Sequence, residues 1–335
     1  MRKKNAGIWG TGSYLPEKVV TNRDLEQITD TSDEWIVERT GIRERRAAAD
    51  HQATSDLATQ AALRALEAAG VSPEQLDLII VATVTPDMFF PSTACLVQKN
   101  IGAVNSAAFD LSAACSGFLY GMTIGSQFIR NGVFQKVLVI GAECFSRIID
   151  WDDRGTNALF GDGAGAVVLG EVSEGYGILG LDLGADGRDG ALLSVPAGGS
   201  REPATAETIE QRRHFLQMNG KEVFKFAVKI IGESVNRAVE DAGLDLSDIS
   251  WLLPHQANVR IIQAAAKRLG FPEEKVLVNI DRVGNTSAAS IPILLDENAR
   301  NGRFEDGDRL AMVGFGAGST WAAAVHRWCP NHRVQ

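Results

Sequence analysis

The feature of this sequence that most constrains its fold is an internal repeat. The segment that begins at Glu67 (EAAGVSPEQLD) recurs in similar form at Glu240 (EDAGLDLSDI), at an offset of 173 (240 − 67). The segment that begins at Arg130 (RNGVF) recurs at Arg300 (RNGRF), at an offset of 170 (300 − 130). Matches that keep their order and nearly keep their spacing indicate an old duplication, with two similar halves related by a pseudo-twofold axis. The predicted halves are residues 1–172 and 173–335.

Helical and strand-like segments alternate along both halves. Residues 55–69 are rich in alanine and leucine at helical spacing, and Gly70 follows as a stop signal. Residues 76–85, 137–142 and 164–169 are short, continuous apolar runs. Such runs are typical of strands that are buried on both faces. The sequence therefore predicts an α/β fold.

One long uncharged stretch raises the possibility of a membrane span. Residues 111–129 carry no charge over nineteen positions, which approaches the length needed to cross a bilayer. The stretch also contains serines, threonine, glutamine and three glycines, so we expect a helix buried in a large core. The glycines, Gly117, Gly121 and Gly125, recur every fourth residue and predict a smooth face for close packing. The N-terminus lacks the apolar segment of a signal peptide.

Composition narrows the classes of function. The net charge of −9 excludes a generic nucleic-acid binder, because an anionic partner would be repelled on average. Four cysteines without a C-x-x-C pair argue against a disulfide scaffold or zinc site and favour a reduced, cytoplasmic compartment. No metal-binding or cofactor-binding motif is present, so neither a metal nor a cofactor is expected. Residues 197–217 are polar and predict a surface excursion beside a site.

Three polar residues stand where apolar strands end and helices begin. Cys115 lies in DLSAACSG, where the positive end of a helix dipole favours a thiolate. His255 follows an apolar strand in WLLPHQAN, at the carboxyl end where α/β folds collect active-site groups. Asn285, in DRVGNTSAAS, follows a predicted strand and opens a helix. Because the second offset pairs Asn285 with Cys115 (285 − 115 = 170), we expect the two helix starts to face one another across the core.

These residues permit two chemistries, and the residues alone leave both open. One is hydrolysis by an activated thiolate, in which the asparagine would orient the histidine. The other is acyl transfer, in which histidine and asparagine donate hydrogen bonds to a carbonyl oxygen. Structural explanations also remain: an inert buried cysteine, a satisfied histidine, or an asparagine that caps a helix.

Basic residues cluster locally despite the negative total charge. Arg260, Lys267 and Arg268 share one face of the predicted helix after His255. Three further lysines recur at every fourth position in a second helical stretch. They are Lys221, Lys225 and Lys229. Each cluster is either a solvated helix face or a binding surface for an acidic partner or a phosphate.

Four strings together resemble the signature of the 3-oxoacyl-[acyl-carrier-protein] synthase III family. They begin at Asp30 (DTSDEWIVERTGIRER), Ala113 (AACSG), Pro254 (PHQAN) and Gly284 (GNTSAAS). The resemblance covers residues 5–328 and implies the thiolase fold, an internally duplicated five-layer α-β-α-β-α sandwich, in a homodimer. It implies an initiating enzyme of fatty acid synthesis, located in the cytoplasm, that binds no nucleic acid and no membrane.

The resemblance also implies a two-step reaction. Cys115 would take an acyl group from acyl-CoA, which is a substrate and not a cofactor. Malonyl-acyl-carrier protein would then lose carbon dioxide, and the carbanion would attack the enzyme thioester. His255 and Asn285, as neutral donors, would hold the malonyl thioester oxygen, whereas the backbone N–H groups of Cys115 and Ala317 would form a second oxyanion hole.

Binding residues follow from the same resemblance. The residues implied for coenzyme A are Thr31, Trp35, Arg39, Arg154, Gly220, Asn258 and Arg260. The acyl pocket would involve Phe90, which reaches into the partner subunit, with Leu159 and Phe160. The acidic carrier protein would dock on Lys225, Arg260, Lys267 and Arg268.

Three alternatives remain. A related condensing enzyme of polyketide or secondary metabolism would share Cys115, His255 and Asn285 but accept another starter or extender. A papain-like cysteine hydrolase would cleave thioesters or peptides without forming a carbon–carbon bond. A non-catalytic partner of a condensing enzyme is disfavoured, since such partners typically lose the nucleophile.

Overall fold

A computed structural model describes residues 5–329 of the chain. The strands are β1 (Asn5–Tyr14), β2 (Lys18–Thr21), β3 (Glu44–Ala47), β4 (Leu78–Ala82), β5 (Ala107–Leu111), β6 (Val137–Glu143), β7 (Gly163–Val172), β8 (Gly177–Ala185), β9 (Leu193–Ser194), β10 (Gln217–Met218), β11 (Trp251–Pro254), β12 (Arg309–Gly316) and β13 (Thr320–Arg327). The α-helices are α1 (Asn22–Glu26), α2 (Asp33–Thr40), α3 (Thr54–Ala69), α4 (Thr93–Ile101), α5 (Gly117–Arg130), α6 (Arg154–Asn157), α7 (Ala206–Glu210), α8 (Gly220–Asp241), α9 (Val259–Leu269), α10 (Ile280–Val283) and α11 (Ser290–Arg300).

Two mixed sheets repeat one topology. The first has the order β1-β7-β6-β4-β5, in which β6, β4 and β5 run parallel and the other pairs antiparallel. The second has the order β8-β13-β12-β11, again with the last pair parallel. A parallel bridge between Leu252 and Val276 stands where a fifth strand would continue this sheet. The internal repeat of the sequence thus corresponds to a repeated topology, while the division at residue 172 stays a prediction.

The helices complete five layers. Apolar side chains of α5 and α11, among them Phe118, Met122 and Leu294, form the central core between the two sheets. Helices α3 and α4 cover the outer face of the first sheet through residues such as Leu57 and Val97. Helices α8 and α9 cover the outer face of the second sheet in the same way. The expected α-β-α-β-α sandwich is confirmed.

The local predictions hold with shifts at the element ends. The helix predicted at 55–69 is α3, which ends at Gly70 in the left-handed conformation, with φ 62°. The strand predicted at 76–85 is shorter, since β4 ends at Ala82. The chain turns out of the sheet there because Thr83, Val84 and Thr85 hydrogen-bond to the carboxylate at the end of β6.

The uncharged stretch at 111–129 supplies the buried helix α5, as predicted. Its glycines do form a smooth face: a Cβ at Gly121 would lie 2.9 Å from Val139 Cγ1, and one at Gly125 would lie 3.0 Å from Val137 Cγ1. The absence of these side chains lets α5 pack directly on β6. In the part of the chain that the structure describes, no helix is both long and apolar enough to cross a membrane.

The polar excursion at 197–217 is anchored to the body of the protein. It contains α7 and leads into β10, which pairs with β9. Leu216 is 7% exposed and packs in a cluster with Phe145, Ile149 and Phe160. The excursion is therefore polar along much of its length, but Leu216 near its C-terminal end is apolar and buried.

Gly141 in β6 provides a test of the close packing between the halves. A Cβ there would overlap the carbonyl oxygen of Ala288, and a backbone atom cannot rotate away. We expect Gly141→Ala to lower the free energy of unfolding by about 1–3 kcal/mol, the usual cost of overpacking, as measured by urea denaturation. Gly199→Ala is the matched control, because a Cβ at Gly199 meets nothing within 4 Å. Equal stabilities of the two variants would contradict this account.

Candidate active site

One cavity of about 220 Å³ is lined by residues from both halves of the chain. Cys115 from the first half and His255 and Asn285 from the second all line it. Cys115 is far from the other two in sequence, and the structure brings all three to one place. The layered topology explains this, since the loops at the ends of the parallel strands of both sheets converge there.

Cys115 lies in the short helical turn Ala114–Ser116, directly before α5. Its Sγ donates a hydrogen bond to Ser287 Oγ at 3.3 Å. The opposite side is closed by β12, where a Cβ on Gly316 would come within 2.6 Å of the Cys115 nitrogen. The thiol is thus held between the two halves, with 6% of the residue exposed.

The protonation of Cys115 departs from the sequence-based expectation. Burial raises the pKa of the thiol to about 12, with a smaller opposing effect from the hydrogen bond to Ser287. The negative charge of Glu143 raises the pKa further. Burial therefore opposes the thiolate form that the helix N-terminus was expected to favour.

His255 follows β11, as predicted, and is 1% exposed. Its backbone N–H donates to Val313 O at 2.8 Å, and its ring lies edge-on to Phe315 with centroids 5.4 Å apart. Within residues 5–329, neither ring nitrogen has a hydrogen-bond partner. Burial lowers the pKa of His255 to about 3. The ring is therefore neutral at neutral pH, and it lines the cavity.

Asn285 occupies a more constrained position than predicted. The segment before it is not a strand but α10 followed by Gly284, whose φ is 67°. Backbone hydrogen bonds to Leu159 and Gly161 fix Asn285 at the cavity wall. Its Oδ1 accepts the backbone N–H of Ser287 at 2.9 Å, which leaves Nδ2 as the donor for a ligand.

The two helix starts meet, but their register differs from the prediction. Ala114 and Ser287 have nearly equal positive φ values, 47° and 48°, and α5 and α11 each begin on the third position after them. This pairing corresponds to an offset of 173 (287 − 114). The counterpart of Cys115 is therefore Ala288 and not Asn285, although the turns do face each other through the Cys115–Ser287 hydrogen bond.

The implied coenzyme A residues lie around the mouth of the cavity, with one exception. The residues that line it are Trp35, Arg39, Arg154, Gly220 and Asn258. Arg260 lines an adjoining groove together with Lys221 and Lys225. Thr31 lines neither, and its hydroxyl is buried without a hydrogen-bond partner among the described residues. The guanidinium carbons of Arg39 and Arg154 lie 4.7 and 5.2 Å from the centroid of Trp35.

The other implied residues divide between the cavity and the surface. Ala317, Leu159 and Phe160 line the cavity. Phe90 does not: it is 84% exposed, beside Phe89 at 83%, in the loop before α4. The carrier-protein residues are all exposed, and they lie on α8 and α9. They are Lys225, Arg260, Lys267 and Arg268.

Two residues near the thiol were missed. Ser287 contacts Cys115 directly, and Glu143 accepts a hydrogen bond from Ser287 at 3.0 Å. A signal for Glu143 was available, since it is a charged residue at the end of the apolar run VLVIGAE. No comparable signal marks Ser287, whose role depends on the packing of the two turns.

Comparisons with known proteins identify the family. Models described as 3-oxoacyl-[acyl-carrier-protein (ACP)] synthase III and as its C-terminal part match residues 109–187 and 239–328. The beta-ketoacyl-[acyl-carrier-protein] synthase III of Desulfitobacterium hafniense is 59% identical over 97% of this chain and 98% of its own. That of Caldanaerobacter subterraneus is 60% identical over 96% and 98%. The chain belongs to the 3-oxoacyl-[acyl-carrier-protein] synthase III family.

Solved structures agree with this membership. The beta-ketoacyl-[acyl carrier protein] synthase III of Thermus thermophilus is 49% identical and superposes with a TM-score of 0.90, covering 97% of this chain and 99% of that one. A priming beta-ketosynthase of the R1128 polyketide pathway is 36% identical with a TM-score of 0.91, covering 98% of both chains. The expectations of a thiolase-like fold and of a condensing acyltransferase that initiates fatty acid synthesis are confirmed.

The neutrality of His255 can be tested by NMR. We expect its ring ¹⁵N shifts to stay those of a neutral imidazole from about pH 8 to about pH 5, with exposed His51 as the reference for a solvated ring. Because the pKa is lowered on folding from 6.5 to about 3, the unfolded chain binds this proton more readily. His255 therefore reduces stability as the pH falls from about 6.5 toward 3. Titration of His255 near pH 6.5 would refute this assignment.

Proposed function

We propose that Cys115 takes a short acyl group from acyl-CoA and that His255 and Asn285 then support decarboxylative condensation with malonyl-acyl-carrier protein. The products are a 3-oxoacyl-carrier protein, carbon dioxide and coenzyme A. The observation that supports the proposal best is that one cavity joins a buried thiol to two neutral hydrogen-bond donors. No cofactor enters the reaction, and acyl-CoA is a substrate.

In the first step, Cys115 Sγ attacks the thioester carbonyl of acyl-CoA. The oxyanion that forms is held by the backbone N–H groups of Cys115 and Ala317, which belong to segments on the same cavity wall. The coenzyme leaves as a thiolate. Leu159 and Phe160, both at the cavity wall, contact the acyl chain.

In the second step, the malonyl group occupies the cavity beside the acyl-enzyme. Loss of carbon dioxide moves negative charge onto the thioester oxygen, and His255 and Asn285 Nδ2 donate hydrogen bonds to that oxygen. Neutral donors suit this task, since they stabilise the charge as it develops without fixing the substrate carboxylate beforehand. The carbanion then attacks the Cys115 thioester and releases the product.

The surface around the mouth suits the two anionic substrates. Arg39, Arg154 and Trp35 offer cations and an aromatic face to the adenine and phosphates of coenzyme A. Three of the exposed carrier-protein residues, Arg260, Lys267 and Arg268, extend along α9 over about 12 Å. Together with Lys225 on α8 they offer positive charge to the acidic carrier protein.

The proposal includes a homodimer in the cytoplasm. Phe89 and Phe90 are more than four-fifths exposed, and such a pair of large apolar side chains suits burial in a second copy. Phe90 would then contact the partner's acyl pocket and limit the length of the primer. Four cysteines without a C-x-x-C pair suit a reducing compartment.

The alternatives differ in their support. A hydrolase would need Asn285 to orient His255, but the Asn285 oxygen is bonded to Ser287 and the His255 ring has no partner among residues 5–329. That arrangement favours a pair of donors. A priming role in polyketide synthesis fits the same site, as the similarity to the R1128 ketosynthase indicates. The identities of 59% and 60% to fatty-acid relatives favour the first role.

The first step is tested by labelling. Incubation with radiolabelled acetyl-, propionyl- or branched acyl-CoA should place label on Cys115, located by peptide mass spectrometry. Cys115→Ala should abolish the label. Cys95→Ala is the matched control and should keep it, because Cys95 is an exposed thiol outside the cavity. Absence of label with every short acyl-CoA would overturn the proposal.

The second step is tested with Asn285→Ala. This variant removes the Nδ2 donor and the acceptor of the Ser287 N–H, and it adds no charge beside the malonyl carboxylate. We expect acylation to remain near the wild-type rate and release of carbon dioxide from malonyl-carrier protein to fall by about 10²–10³-fold, measured with ¹⁴C-malonyl substrate. An equal loss in both steps would exclude the assigned role.

A further inference from the structure

The thiol of Cys115 begins a directed chain of hydrogen bonds that leads away from the cavity. Cys115 Sγ donates to Ser287 Oγ at 3.3 Å, and Ser287 Oγ donates to Glu143 Oε1 at 3.0 Å. All three residues are buried, and Glu143 and Ser287 are fully inaccessible. Each hydroxyl or thiol proton in the chain points toward the carboxylate. A single shift of both protons would convert thiol and carboxylate into thiolate and carboxylic acid.

Glu143 is surrounded by donors and not by cations. Thr85 Oγ1, Thr83 Oγ1 and the Val84 N–H donate to it at 2.6, 3.2 and 3.1 Å. No lysine or arginine in the described part of the chain forms an ion pair with it. A buried carboxylate without a counter-ion is unusual, because removing the charge from water is costly. The stability of the fold alone therefore does not explain why a glutamate stands at the end of β6.

The titratable groups that face Glu143 are the two buried thiols Cys115 and Cys144, on whose pKa it acts through its charge. Asp162 and Arg147 act on Cys144 in turn, with opposite effects on its pKa. Burial raises the pKa of Glu143 to about 7, against the hydrogen bonds from Thr85, Val84, Ser287 and Thr83 that lower it. A group with that pKa can gain and lose a proton near neutral pH.

We propose that Ser287 and Glu143 relay the proton of Cys115: Glu143 takes it through Ser287 when the thiol attacks, stores it while the enzyme is acylated, and returns it afterwards. The nucleophilic role of Cys115 in this inference rests on the proposed function. Ser287 touches the reacting sulfur, whereas Glu143 is a positioning residue that acts through Ser287.

The proton balance closes over the reaction. On acylation, the S–H bond of Cys115 breaks, its proton passes to Ser287 Oγ, and the Ser287 proton passes to Glu143. The new carbon–sulfur bond forms, and coenzyme A leaves as a thiolate that takes a proton from water at the open mouth. On condensation, the malonyl carboxylate leaves as carbon dioxide, the carbanion attacks, and Cys115 leaves as a thiolate. The reverse relay then restores the thiol and the Glu143 carboxylate.

The relay and a merely electrostatic or structural role of Glu143 predict opposite results for Glu143→Gln. Removing a negative charge lowers the thiol pKa, so electrostatics alone predict faster reaction of Cys115. Loss of a proton acceptor predicts slower reaction, by about a hundredfold at pH 8, a typical contribution of general base catalysis. The sign of the change therefore decides between the two roles.

The experiment is alkylation of Cys115 by iodoacetamide in the full-length protein, quantified by peptide mass spectrometry because exposed Cys95 also reacts. The wild-type rate should rise through about pH 7, where Glu143 ionises, and then level off. Glu143→Gln should lose this plateau and rise about tenfold per pH unit, as direct ionisation of the thiol requires. An unchanged profile or a faster variant would overturn the relay.

Two further variants keep the test decisive if Glu143→Gln fails to fold. Ser287→Ala and Ser287→Gly both remove the relaying hydroxyl, and glycine also relieves the positive φ of 48°. Both variants should lose the plateau to the same extent. If Ser287→Ala lost the plateau and Ser287→Gly kept it, backbone strain and not the hydroxyl would explain the effect, and the relay would be refuted. Ser116→Ala is the matched control, because its buried hydroxyl bonds to Ala113 O and not to the thiol.

The alkylation readout separates the two proposals because it needs no acyl-CoA. A wild-type plateau that Glu143→Gln loses supports the relay even if no acyl-CoA labels Cys115, in which case only the proposed function fails. Labelling by acyl-CoA together with identical pH profiles overturns only the relay.

Discussion

The contact between two short turns, Ala114–Ser116 and Ser287–Ala289, is the constraint on which the rest of the site depends. One turn comes from each half of the duplicated fold, and each has a residue with positive φ at its start. Gly141 and Gly316 allow the surrounding strands to approach the turns without side chains in the way. Because the nucleophile and its hydrogen-bond partner belong to different halves, the site exists only when the halves are packed together.

Burial at this contact sets the protonation of the groups beside it. The same removal from water raises the pKa of Cys115 and Glu143 and lowers that of His255. All three shifts favour the uncharged form. For His255 this is useful as it stands, since a neutral ring is a donor that does not bind the substrate carboxylate permanently. For Cys115 the uncharged form is a disadvantage, because the reactive form is the anion. An acceptor for the thiol proton must therefore lie within reach.

The features that could be predicted from the sequence are those that depend on local pattern. Apolar runs and glycine spacing predicted the strands and α5, and strand ends located Cys115 and His255. Positions that depend on packing between segments distant in sequence could not be predicted. The α10 turn before Asn285, the register that pairs Cys115 with Ala288, and the partnership of Ser287 with Glu143 arise from contacts across the halves. The role of Phe90 stays a prediction, since a residue whose proposed role lies in a second subunit has no local signature of it.

The distribution of charge along the cavity links the two steps of the cycle. Positive side chains, Arg39 and Arg154, lie with Trp35 at the mouth, whereas the residues beside the thiol are neutral apart from Glu143. A malonyl carboxylate that approached an ionised Glu143 would meet a like charge in a poorly screened interior. In the proposed cycle the acyl-enzyme carries a protonated Glu143, so this repulsion is absent when malonyl-carrier protein binds. Before acylation, Glu143 is ionised and the repulsion is present. The relay thereby gives a physical reason for the order of the substrates: acylation removes the charge that would exclude the malonyl group.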